Sequence, residues 1–77
     1  MNLINIMPFG HIAEITGADP FQLTALDTDE IRQMLSAQFP ALGSSAYAIA
    51  VNKVMVKENT ALKPGAVVAL LPPFSGG

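Results

Sequence analysis

The sequence predicts an α+β roll, a mixed sheet of four to five strands with one main helix packed across it. Three observations carry this. Residues 3–7 and 20–26 alternate apolar and polar side chains as two strands. Residues 27–39 then change to an apolar stripe at helical spacing, and segments 47–51, 54–56 and 66–71 return to strand composition. Strands on either side of a single striped helix must bury the stripe on their sheet.

Each element follows from its own residues. In 3–7, Ile4 and Ile6 share one face and Asn5 takes the other, as in a half-buried strand. Residues 11–16 suit a short helix, with Ile12 and Ile15 three apart and Gly17 placed to end it. Phe21, Leu23 and Ala25 alternate with Gln22 and Thr24 in a second strand, able to pair antiparallel with the first. Asp27 or Thr28 can cap the main helix; Asp29 and Glu30 fall in its first turn, and Asp27 and Glu30 stand at capping-box spacing. Ile31, Met34, Leu35 and Phe39 form its apolar stripe, and Pro40 stops it before a Gly43-Ser44-Ser45 loop. Tyr47, Ile49 and Val51 alternate with alanines, and Asn52-Lys53 is a turn into Val54-Met55-Val56. Pro64-Gly65 fits the centre of a type II turn. The apolar run 66–71 that follows suggests a central strand, covered on both faces and parallel to a neighbour.

Composition excludes several functions. The chain has 77 residues, room for one small domain, and no cysteine, so thiol nucleophiles, thiolate metal sites and disulfides are ruled out. Four basic residues and a net charge of −2 do not make a nucleic-acid footprint. No apolar run approaches the roughly 18 residues of a membrane span and no leader pattern opens the chain, so a soluble, cytoplasmic protein is expected. Charged residues make up only 13% against 51% hydrophobic, where about 25% charge is ordinary. Some apolar side chains must therefore lie outside the core, either as an alanine-rich surface or as a face for a partner.

The stretches FGHIAEITG (9–17), TDEIRQML (28–35), AVN (50–52) and LKPGAVVALLPP (62–73), with the final Gly-Gly, resemble the MoaD-type small subunit of molybdopterin synthase over nearly the whole chain. The resemblance implies a ubiquitin-like β-grasp domain over 1–71 and a flexible, extended tail over 72–77. It implies that the Gly77 carboxylate is adenylated with ATP by a ubiquitin-activating-like, MoeB-type enzyme and converted to a thiocarboxylate by a sulfur donor protein. The chain would then act as a non-catalytic co-substrate, giving its sulfur to a cyclic pyranopterin precursor inside a large, MoaE-type subunit within a heterotetramer. No permanently bound cofactor and no metal are implied. The family's partner-facing patch falls on Phe9, Met55 and Leu71.

The tail's residues suit that use. A carboxylate with a pKa near 3.5 is ionised at neutral pH and a poor electrophile until activated. Pro72 and Pro73 lack amide donors and hold the chain extended as it leaves the sheet. From Pro72 through Phe74, Ser75 and Gly76 to Gly77, six residues can reach about 20 Å, and the two glycines can enter a narrow channel. Met55 shares the parity of Lys53 and Lys57, away from a core that Val54 and Val56 would enter; Met7 and Phe9 share the Asn5 face. His11 is a surface residue at a helix start, and capping accounts for Asp27, Asp29 and Glu30 better than metal binding. Lys63 has no assigned role. Ala66 stands where the family often carries an acid, which should remove a surface charge. Sulfur supply to thiamin thiazole or to tRNA, and a ubiquitin-like modifier or interaction module, are the alternatives.

Overall fold

The computed structural model describes residues 2–44 and 46–73. Its elements are β1 (Leu3–Pro8), α1 (Gly10–Thr16), β2 (Phe21–Thr24), α2 (Thr28–Gln38), α3 (Pro40–Gly43), β3 (Ala48–Val51), β4 (Val54–Val56) and β5 (Val67–Leu71). All five strands join one sheet in the order β2-β1-β5-β3-β4. β1 and β5 run parallel at its centre, and the other pairs are antiparallel.

Register decides which side chains share a face. Ile4 lies opposite Leu23, Ile6 opposite Val68, and Ile49 opposite both Leu70 and Val56. These residues point to the helix side, where Ile31 and Leu35 of α2, Ile12 of α1, Leu42 of α3 and Leu62 close the core. Burial of each such aliphatic side chain contributes about 1.5–3 kcal/mol, so this single layer between sheet and helices supplies most of the driving force.

The start of α2 is held by polar contacts. Asp27 caps α2 by accepting from the Glu30 amide at 2.9 Å, while the Glu30 carboxylate accepts from the Leu26 amide. Thr28, 2% exposed, donates its amide to the Thr60 carbonyl and accepts the Thr60 amide on its hydroxyl at 2.9 Å. Asn59 accepts from the Asp29 amide at 2.9 Å. The link between β4 and β5 is thereby clasped to the start of α2.

Two turns have the geometry their residues predict. Gly65 has φ +83 and the Ala66 amide donates to the Lys63 carbonyl, as a type II turn over Pro64-Gly65 requires. Asn52 and Lys53 both have positive φ, 48 and 72, the type I′ signature that closes a two-residue hairpin. Asn52 also ties this hairpin to β5, its amide donating to the Val67 carbonyl and its side chain accepting from the Val67 amide.

Several expectations need correction. β5 is central and parallel to β1, but it is not covered on both faces: Val68 and Leu70 are buried while Val67 is 37% exposed. Val54 does not enter the core; at the tip of the edge hairpin it is 63% exposed, and only Val56 packs against the core. Pro40 ends α2 yet also opens α3, where its missing amide costs nothing at the first turn and Leu42 anchors the extra turn. Gly43 belongs to that turn, and Ser45 of the expected loop lies outside the described residues. Ala66 is buried, so no surface charge is lost there.

Candidate docking face and tail root

The helices occupy one side of the sheet, and its other side carries a row of apolar residues in direct register. Met7 lies opposite Ala69, Ala69 opposite Ala50, and Ala50 opposite Met55. At about 4.8 Å per strand the row spans roughly 14 Å, a floor of small alanines with a methionine at either end. Leu71, opposite Ala48, continues it toward the end of β5. Met55 is 46% exposed, Met7 and Ala69 are half-buried, and Ala50 is buried.

Phe9 follows β1, and its amide donates to the Leu70 carbonyl at 2.9 Å, which sets it at the same end of the sheet as Leu71. Its ring is 44% exposed. The fold thus gathers Phe9, Leu71 and the methionine row onto the face without helices. Leu71 is half-buried opposite Ala48 of β3.

Beside Met55, at the β4 edge of the sheet, a groove of about 530 Å³ runs between this face and the helix side, walled by Arg32 of α2, Tyr47, Lys57 and Pro73. The Arg32 guanidinium lies 5.3 Å from the centre of the Tyr47 ring, a cation–π contact. Burial raises the Tyr47 phenol above its ordinary pKa, and the neighbouring Arg32 charge pulls it partly back. Pro73 places the tail root in this groove's wall, so the methionine row and the exit of the chain are contiguous.

Pro72 is half-exposed and Pro73 exposed at the end of β5. Phe74, Ser75, Gly76 and Gly77 lie outside the described residues. His11 is exposed on α1, and the Asp27 and Glu30 carboxylates are engaged in the α2 cap. Among the described residues no helix is long and apolar enough to cross a membrane.

Sequence reading missed three features. Ala48, Ala50 and Ala69 make the floor, the Arg32–Tyr47 pair walls the groove, and Gly10 meets Pro72. The alanine alternation in 47–51 was the available signal for the floor; nothing local signals the other two, which depend on register.

A helix laid across a mixed five-stranded sheet, with parallel first and last strands at its centre, defines a ubiquitin-like β-grasp protein. The same fold is found in a putative molybdopterin converting factor, subunit 1, from Pyrococcus furiosus, with TM-score 0.88 and 17% identity over 96% of this chain and 100% of that one. Small archaeal modifier protein 1 from Methanosarcina acetivorans matches with TM-score 0.83 and 21% identity over 100% and 98%. A chain of the complex of subunits 1 and 2 of molybdopterin-converting factor from Helicobacter pylori is 34% identical, with TM-score 0.71, over 97% and 99%. The ThiS family model matches residues 6–77. The chain belongs to the ThiS family, as a MoaD-type ubiquitin-like sulfur carrier.

Proposed function

We propose that this chain is the sulfur carrier of molybdopterin synthesis, with Gly77 as the atom-bearing end and the uncovered sheet face as its dock on the large synthase subunit. The 34% identity to a chain of the Helicobacter pylori complex, over nearly its full length, is the observation that carries the reading. The apolar row ending beside the tail root supports it, because a carrier must hold its domain on the partner while its end reaches inside.

The chemistry proceeds in balanced steps. The Gly77 carboxylate oxygen attacks the α-phosphorus of ATP on a MoeB-type enzyme, expelling pyrophosphate and leaving an acyl-adenylate. Sulfur from a donor protein, at the level of sulfide, then attacks the acyl carbon and displaces AMP, which leaves with the carbon–oxygen bond pair. Two thiocarboxylates then serve each dithiolene in the MoaE-type subunit: each sulfur forms a carbon–sulfur bond on the cyclic pyranopterin precursor as a carbon–oxygen bond there breaks, and water cleaves the acyl–sulfur bond, returning the oxygen to Gly77. ATP is the activating enzyme's substrate, and this chain needs no permanently bound cofactor. The assembly is a heterotetramer in the cytoplasm.

Burial of Phe9, Met55 and Leu71 would supply about 1.5–3 kcal/mol each where fully desolvated. That offsets an ordering cost of roughly 1–2 kcal/mol for each tail residue fixed in the partner's channel. Reconstitution tests the reading: thiolated chain mixed with the large subunit and the cyclic precursor should yield the dithiolene product in proportion to carrier consumed. Product formed equally well from unthiolated chain would contradict it.

A further inference from the structure

β5 is held along its length by β1, and the contact just beyond its end has a particular construction. Met7 and Pro8 lie opposite Ala69 and Leu70, and the Phe9 amide donates to the Leu70 carbonyl. The next contact joins Pro72 to Gly10, the first residue of α1. Gly10 has φ +56, and a Cβ added to it would lie 2.5 Å from Cγ of Pro72 and 3.2 Å from Cδ. Carbon atoms do not approach so closely. The pyrrolidine ring is bonded to its own backbone at both ends and cannot swing aside as a long side chain would. A side chain at Gly10 would therefore have to move the main chain at Pro72.

We propose that Gly10 is a positioning residue for the tail: its missing side chain forms the seat for Pro72, and this seat sets the direction in which the chain leaves the sheet. The proposal rests on the sulfur-carrier reading above. With the sheet face docked, the partner's channel lies at a fixed place relative to β5. A tilt of about 10° at Pro72 displaces the end of an extended arm of five further residues, roughly 17 Å, by about 3 Å. Acyl transfer is sensitive to misplacement of about 1 Å, and the arm can correct the error only by giving up conformational freedom.

Gly17 supplies a control inside the same molecule. Its φ is +97 and ψ 151, less suited to a side chain than Gly10, but a Cβ there meets nothing within 4 Å. Gly17→Ala therefore imposes backbone strain without touching the tail root.

The test compares wild type, Gly10→Ala, Gly17→Ala, Pro72→Ala, Pro73→Ala and the Gly10→Ala/Pro72→Ala pair as full chains. Melting temperature, affinity for the large subunit, and the rate of thiolation at Gly77 with ATP, the MoeB-type enzyme and sodium sulfide are measured for each. Gly10→Ala should slow thiolation by about tenfold or more while affinity changes less than about twofold, given the sensitivity of acyl transfer to position. Gly17→Ala should lower the melting temperature without slowing thiolation. In the Pro72→Ala background the Gly10→Ala change should cost less than about twofold, because the clashing ring is gone. Equal thiolation of Gly10→Ala and wild type overturns the proposal, as does the same loss in both Pro72 backgrounds or an equal loss in Gly17→Ala. If Gly10→Ala does not fold, Pro72→Ala should still slow thiolation more than Pro73→Ala, and equal rates overturn the seat. A wild-type chain that takes no sulfur overturns the carrier reading and this proposal with it; a wild type that does, beside an unaffected Gly10→Ala, overturns the seat alone.

Discussion

Met55 stands at one end of the apolar row and beside the tail root, with nearly half its surface open to water. Met55→Asp would place a charge within the proposed contact, where a desolvated hot spot contributes at least about 2 kcal/mol. Calorimetry with the large subunit should show a loss of that size, with an almost unchanged melting temperature because the side chain takes no part in the core. Tyr47 is a second informative residue. Burial raises its pKa above the ordinary value near 10, with Arg32 opposing. Its folded-state pKa is therefore higher than its unfolded one, so the unfolded chain releases this proton first as pH rises. Stability from Tyr47 is fully present below about pH 10 and falls as pH climbs through the raised folded-state value. Denaturant titrations between neutral and strongly alkaline pH should show that decline, and Tyr47→Phe should reduce it. Parity in Lys53-Val54-Met55 already pointed Met55 outward from sequence. The Arg32–Tyr47 contact was invisible there, because it joins a helix to the residue before β3 across 15 positions of chain.

At the scale of elements, the clasp around Thr28 links α2 to the segment before β5. Thr28→Val keeps the shape but leaves the Thr60 amide without its acceptor. Chemical denaturation should show a loss of about 1–3 kcal/mol, while Thr28→Ser, which retains the hydroxyl, should cost less. Most elements were legible because their residues obey local rules. Ile4 and Ile6 alternate around Asn5, Asp27 stands three before Glu30, and Pro64-Gly65 has one natural turn type. What was not legible depends on neighbours. The run 66–71 has the same composition whether its outer face is covered or bare, and only its place between β1 and β3, with every helix on one side, decides. Val54 failed for a related reason: alternation gives its face correctly, but beside the turn of an edge hairpin that face is left open to water.

Across the whole molecule, the uncovered sheet face gives physical sense to the composition. A chain with 51% hydrophobic and 13% charged residues has more apolar surface than one layer of core can hide. Part of the excess collects on one face, where Phe9, Met55 and Val67 are exposed and Met7 and Leu71 half-buried, while Leu26 and Val54 are exposed elsewhere. The family and its fold were legible through ordered motifs spanning the chain, from FGHIAEITG to LKPGAVVALLPP. The role of Gly10 was not, since the meeting of the start of α1 with the residue after β5 is a property of the closed sheet.

Intact-protein mass spectrometry is the measurement that decides whether this domain presents an activated carboxylate at Gly77. The full chain is incubated with ATP, the MoeB-type enzyme and sodium sulfide, then weighed and fragmented. The expected result is a gain equal to the difference between sulfur and oxygen, ATP-dependent, located at Gly77, and removed on reaction with the large subunit and the cyclic precursor. A mass gain located elsewhere, or stable attachment of Gly77 to lysine amines as the main product, would contradict it.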